Sequence, residues 1–135
     1  MALAFLDTNV FLRHLRQDHL EFSPKATAYF ALIEQRKVEV RTSDLVVFEA
    51  VYTLQRTYKQ PKAAIRDALF PLLELPGIRL PGKRRYRRVF DRYVNLNLSF
   101  ADAYHAVLME DEKIGEVVSF DAEFDRVPGI KRVAL

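Results

Sequence analysis

Two short apolar runs in this chain stop on an aspartate: Leu3-Ala4-Phe5-Leu6 before Asp7, and Val117-Val118-Ser119-Phe120 before Asp121. Consecutive apolar residues without alternation are the pattern of strands covered on both faces, as in a parallel sheet. That constrains the fold strongly. Parallel strands need crossover connections, usually helices, and their carboxyl ends share the crevice where open α/β sheets bind ligands. Asp7 and Asp121 are both expected at that crevice.

Helical and extended patterns alternate between the two runs. Val10, Phe11, Leu12 and Leu15 predict a short helix. Ser23-Pro24 reads as an N-cap followed by proline at the first helical position, opening a helix that buries Ala26, Tyr29, Phe30 and Ile33 and ends near Arg36. Val38-Glu39-Val40 alternates as a brief strand, and Thr42 or Ser43 caps a long helix through Leu45, Phe48, Tyr52 and Gln55. Pro61 opens a further helix, inside which Pro71 is expected to force a kink or an end. Leu75-Pro76-Gly77 turns into a third strand, Ile78-Arg79-Leu80. Tyr86, Val89, Phe90 and Tyr93 mark the apolar face of a helix whose other face carries arginines. Ser99 caps another, burying Phe100, Ala103, Ala106 and Val107; a fourth strand follows Gly115, and Ile130 to Val133 form the last. The expectation is one α/β domain over residues 1–135, with a central parallel sheet of about four to five strands and helices on both faces.

With 135 residues, half of them hydrophobic, the chain is long enough to bury a core and is not of disordered composition. It has no cysteine, which excludes disulfides, thiolate metal sites and thiol nucleophiles. No apolar stretch has the length of a membrane span, and no basic leader precedes the first strand, so a soluble, cytoplasmic protein is expected. The net charge of +3 conceals an asymmetry. From Arg79 to Arg92 there are seven basic residues and one acid, Asp91, so the remainder is net negative. Such a patch is either a solvated helix face or a landing surface for a polyanion, nucleic acid first. Lys83, Arg84, Arg87, Arg88 and Arg92 are its candidate contacts.

Each candidate acid has an ordinary reading beside a functional one. Glu49 sits among Val46, Val47, Phe48, Ala50, Val51 and Tyr52, so no helical rotation gives it an obviously wet face. It must reach solvent, pair with an arginine or hold a cation. Asp102 completes Ser99-x-x-Asp102, a capping-box pattern in which the acid reaches back to the N-cap amide. A helix N-terminus also keeps a carboxylate ionised, the state a metal ligand needs. Asp121 is either the N-cap of a one-turn helix containing Phe124 or a ligand. Asp125, one turn further, is kept as a reserve site residue, whereas Glu123 and Glu110 read as surface acids. His105 reads as a hydrogen-bonded core histidine, and His14 and His19 as surface residues.

Taken together, Asp7, Glu49, Asp102 and Asp121 form a set of carboxylates that cannot stay ionised side by side without a cation. Oxygen-only ligation favours Mg²⁺ or Mn²⁺. Asn9 and Ser119, each two residues from one of the acids, are placed to hold waters or orient ligands.

Four stretches, Phe5-Leu6-Asp7-Thr8-Asn9-Val10, Phe48-Glu49-Ala50-Val51-Tyr52, Phe100-Ala101-Asp102-Ala103-Tyr104-His105-Ala106 and Ser119-Phe120-Asp121-Ala122-Glu123-Phe124, resemble the PIN-domain nucleases. The likeness is closest to the VapC-type toxins of prokaryotic toxin-antitoxin pairs, and it runs on to Asp125-Arg126-Val127-Pro128-Gly129-Ile130. Pro71 and the dense run Lys83 to Arg88 depart from it.

The resemblance implies a metal-dependent endoribonuclease with Asp7, Glu49, Asp102 and Asp121 as metal-binding acids, leaving a 3′-hydroxyl and a 5′-phosphate. It also implies a homodimer and a VapB-like antitoxin partner that inserts an Arg or Lys into the acidic site. Two readings from other classes stand beside it. One is a non-catalytic module that clamps an ion and binds RNA. The other is an aspartate-nucleophile phosphatase, since Leu6-Asp7-Thr8-Asn9 has a slight likeness to the haloacid-dehalogenase motif, although Asn9 stands where that motif has a second aspartate.

Overall fold

The computed structural model describes residues 3–135; residues 1 and 2 of the expected domain lie outside them. The chain forms two compact units, the first ending at Lys83 and the second running from Arg84 to Leu135.

The first unit contains β1 (Ala4–Phe5), α1 (Thr8–Arg16), α2 (Phe22–Glu34), β2 (Val40–Arg41), α3 (Asp44–Arg56), α4 (Lys62–Leu73) and β3 (Ile78–Arg79). Its three strands are all parallel, in the order β1-β2-β3, with Ala4 opposite Val40 and Val40 opposite Ile78. Period-two alternation sorts the side chains of this sheet. Leu6, Val40, Thr42, Ile78 and Leu80 are buried, whereas Leu3, Phe5, Glu39, Arg41 and Arg79 are exposed or half-exposed. The run expected to be covered on both faces is therefore buried at Leu6 and exposed at Leu3, Ala4 and Phe5. The helices add Phe11 and Phe30, whose rings are 5.3 Å apart, and the stripes Val47, Val51, Leu54 and Ile65, Leu69, Leu73.

Two helix boundaries differ from expectation for identifiable reasons. α2 begins at Phe22 rather than after Ser23, because the Nδ1 of His19 accepts from the amides of Glu21 and Phe22 at 3.3 and 2.9 Å, while the Ser23 hydroxyl oxygen accepts from the His19 amide. His19 thus caps the helix rather than decorating the surface. α4 continues through Pro71 and stops two residues later, at Leu73. The amide missing at Pro71 would have met the Asp67 carbonyl one turn back, and both residues are exposed, so water can take its place. Of the two candidate caps for α3, Ser43 takes the role, accepting from the Val46 amide. Thr42 instead is fully buried and donates to the Leu6 carbonyl at 2.9 Å.

The second unit contains α5 (Tyr86–Asn95), α6 (Phe100–Asp111), β4 (Glu116–Val118), a 3-10 turn (Ala122–Arg126) and β5 (Lys131–Val133). β4 and β5 are parallel, with Val117 opposite Arg132. The expected mixture of helices with five parallel strands is present, paired as three and two. α5 and α6 pack through aromatics: the ring of Phe100 lies 5.1 Å from Phe90 and 5.3 Å, edge-on, from Tyr93. Burial pushes the Tyr93 hydroxyl up to about 12. Since Phe100 is the first residue of α6, this cluster also fixes where that helix starts, two residues before Asp102.

Candidate metal centre

In the first unit, Asp7 follows Leu6 and takes the N-cap position of α1 in an extended conformation, yet its exposed side chain makes no capping hydrogen bond. Its oxygens are not spent on the helix. Asn9 is exposed in the first turn of the same helix. Glu49 is exposed too, contrary to the expectation of an apolar setting all round. α3 buries Val46, Val47, Ala50, Val51 and Leu54, and its outer face reads Leu45, Glu49, Tyr52 and Arg56, with Leu45 80% and Tyr52 63% exposed. The wet face was concealed in the sequence because two of its members are hydrophobic. A cavity of about 500 Å³ lies in this unit against Phe5, Asn9, Val10, Phe22 and Tyr29, but no acid lines it. Its lining is mostly apolar, with Arg13 and Lys25 among it.

In the second unit, Asp102, Asp121 and Glu123 each offer a carboxylate oxygen within 4.8 Å of the others. Ser99 is the N-cap of α6, and its hydroxyl oxygen accepts from the Asp102 amide at 3.1 Å. The return half of the capping box is not made by Asp102. The Ser99 amide donates instead to Glu123 Oε2, at 3.3 Å. The Asp102 carboxyl is left to meet Asp121.

Asp121 is the N-cap of the 3-10 turn, accepting at Oδ1 from the Glu123 amide at 2.9 Å, and its own amide donates to the Ser119 hydroxyl oxygen, also at 2.9 Å. Ser119 thus holds the backbone of Asp121. Asp125 accepts a fork from Arg132 at 3.1 and 3.2 Å, and the charge of the same guanidinium acts on Asp121. His105 is exposed rather than in the core.

Electrostatics separates the two aspartates. Desolvation, the hydrogen bond to Asp121 and the charge of Asp121 together push Asp102 up to about 6, while the hydrogen bond from Asp102 and the Glu123 amide pull Asp121 down. Two carboxyls in contact share one proton, here carried by Asp102. An all-oxygen set whose carboxyls crowd together when no cation is near is one that a hard divalent cation fits.

The basic run is largely occupied. Lys83 donates to the carbonyls of Leu75 and Ile78, at 3.0 and 2.9 Å, and burial pushes its pKa down. Within the second unit Arg85 and Arg88 bond Asp111, and Arg92 bonds Glu110 at 2.7 Å. Arg84 and Arg87 are exposed. Glu110, which reads as a plain surface acid, is therefore half of an α5–α6 clasp.

Glu123 is the residue that sequence reasoning missed. It lies two positions after Asp121, and its significance rests on Ser99, 24 residues earlier. A family model described as PIN domain matches residues 4–130, a span that includes all four expected acids. No curated protein matches the chain.

Proposed function

This chain belongs to the PIN-domain family, a family of metal-dependent nucleases, and on that premise we propose that it is an Mg²⁺- or Mn²⁺-dependent endoribonuclease formed as one domain over residues 1–135. Asp7, Glu49, Asp102 and Asp121 are its metal-binding acids, with Asn9 and Ser119 in supporting roles and Asp125 in reserve. The observation that carries the reading is the convergence of carboxylate oxygens of Asp102, Asp121 and Glu123 within 4.8 Å of one another, a like-charge cluster that a cation would relieve. The chemistry a divalent cation supplies at such a site is activation of water and neutralisation of charge on the phosphate.

The residues contribute in distinct ways. Asp121 is held ionised by its partners, and Asp102, pushed up to about 6, passes through half-ionisation there and is mostly ionised at neutral pH. Asp7 keeps its oxygens free of capping duty, and Glu49 stands on the exposed side of α3. Arg84 and Arg87 are the most exposed members of the basic run; Arg84 is best placed to guide a phosphate backbone, whereas Lys83, Arg87, Arg88 and Arg92 would have to exchange their present partners. Single-stranded or loop RNA is the substrate class, since its bases are accessible. The likeness to VapC-type toxins supports a place in a type II toxin-antitoxin pair, with a VapB-like antitoxin and homodimerisation. Among the described residues no helix is long and apolar enough to cross a membrane.

The test is cleavage of a mixed pool of cellular RNA by purified protein in Mg²⁺, Mn²⁺ or EDTA, beside Asp7→Asn and Asp102→Asn. Metal-dependent cutting lost in both variants supports the nuclease. No cutting by folded, metal-loaded, antitoxin-free protein overturns it in favour of a module that only binds.

A further inference from the structure

We propose that Glu123 is a positioning residue, which fastens the 3-10 turn to the start of α6 and thereby sets the approach of Asp121 to Asp102, without being a ligand. The proposal rests on the metal-centre reading above. Its basis is a divided capping box. In the usual arrangement the acid at the third helical position returns to the N-cap amide, and Asp102 occupies that position. Here the Ser99 amide is satisfied by Glu123 Oε2 at 3.3 Å, so the Asp102 carboxyl does not serve that amide and meets Asp121 and the Ser99 side chain instead.

Glu123 acts through both ends. Its side chain holds the N-terminus of α6, and its backbone amide donates to Asp121 Oδ1 at 2.9 Å. One residue thus grips the helix that carries Asp102 and the carboxylate that Asp102 meets. Arg126, one turn on, reinforces the grip: its Nη1 donates to the Asn97 carbonyl at 2.8 Å and stands 3.8 Å from Glu123 Oε1. Both carboxylate oxygens of Glu123 are therefore engaged, one by an amide and one by a guanidinium. A side chain so committed, 33% exposed, is built as a tether.

Glutamine separates the two roles, because its amide oxygen can still accept from the Ser99 amide but is a poor ligand for a hard cation. Two readouts are taken on wild type, Glu123→Gln and Glu123→Ala. The first is hydrogen exchange at the Ser99 amide by NMR in metal-free protein, and the second is Mn²⁺ affinity by calorimetry, with thermal melting as the folding control. Glu123→Gln is expected to keep Ser99 protected and Mn²⁺ affinity near wild type. Glu123→Ala should expose Ser99 to exchange and lose about 10-fold or more in affinity, the usual cost of removing a residue that orients ligands. If Glu123→Gln loses as much affinity as Glu123→Ala while Ser99 stays protected, Glu123 is a ligand and the proposal falls. Unchanged Ser99 exchange in Glu123→Ala also overturns it. Should the wild type bind no Mn²⁺, the metal-centre reading fails and Ser99 exchange alone decides the tether.

Discussion

The hydroxyl of Thr42 donates to the main-chain carbonyl of Leu6 across 2.9 Å, in a site with no solvent access. Leu6 is the last residue before Asp7, and Thr42 the last before Ser43, which caps the helix carrying Glu49. One buried bond therefore ties the ends of the two strands from which the acids of this unit set out. Thr42→Val, nearly isosteric, leaves the Leu6 carbonyl without that donor and is expected to cost about 1–3 kcal/mol. Urea denaturation should show a lower midpoint at unchanged slope, and Thr42→Ser should recover most of the loss.

Metal-free protein should lose stability relative to Asp102→Asn as pH rises from about 4 to about 6. Asp102 has a raised folded pKa, so in that window the folded chain binds more protons than the unfolded one, and stability falls with pH. Because the group is mostly exposed, the loss should be on the order of 1 kcal/mol rather than the full value of the shift. Melting in EDTA across the window measures it. Asp102→Asn should flatten the curve, and Mg²⁺ should restore stability on the alkaline side of the window. A wild-type curve that runs parallel to that of Asp102→Asn in EDTA would contradict the shared proton.

Arginines of the same run should divide into two groups. Removing Arg84 is expected to make the salt dependence of RNA affinity shallower by about 0.7 in log–log slope, the value for one phosphate contact on a single strand. Arg88→Ala breaks pairs with Glu110 and Asp111. Its effect should appear in the melt, at about 0.5–1 kcal/mol, with the slope unchanged.

Gly77→Ala should destabilise the first unit without involving any acid. A Cβ there would stand 2.9 Å from both Cγ2 and the carbonyl oxygen of Ile33, a fully buried residue of α2. Backbone cannot swing aside as a surface side chain does, so a cost of about 1–3 kcal/mol is expected in denaturant titration.

Much of this was readable from the chain, for reasons that also mark the limit. The faces Tyr86/Val89/Phe90/Tyr93 and Phe100/Ala103/Ala106/Val107 follow from helical period alone, and all eight residues are buried. Ser43 and Ser99 cap as hydroxyls at helix starts should. Features that depend on a distant partner were hidden. Glu123 looks like any exposed acid until Ser99 is beside it, and Arg88 and Arg92 look like free cations until α6 supplies Asp111 and Glu110. His19 was missed differently, since its ring nitrogen does a task usually read from serine or aspartate. Glu49 misled because local hydrophobicity stood in for burial.

Near the ends of five helices the backbone turns left-handed at a residue that is not glycine: Gln17, Arg36, Lys59, Asn97 and Lys113, all with φ between 52° and 60°. Asparagine tolerates this well, but the other four carry a side-chain penalty of about 1 kcal/mol each. None of them is one of the four proposed metal-binding acids. Asn97 lies beside Ser99 and Gln17 spends its side chain on His14 and Thr27, so the reserve of thermal robustness sits at Lys59 and Lys113, where replacement by glycine offers a hardened scaffold on which inactivating changes at the acids could be tolerated without unfolding.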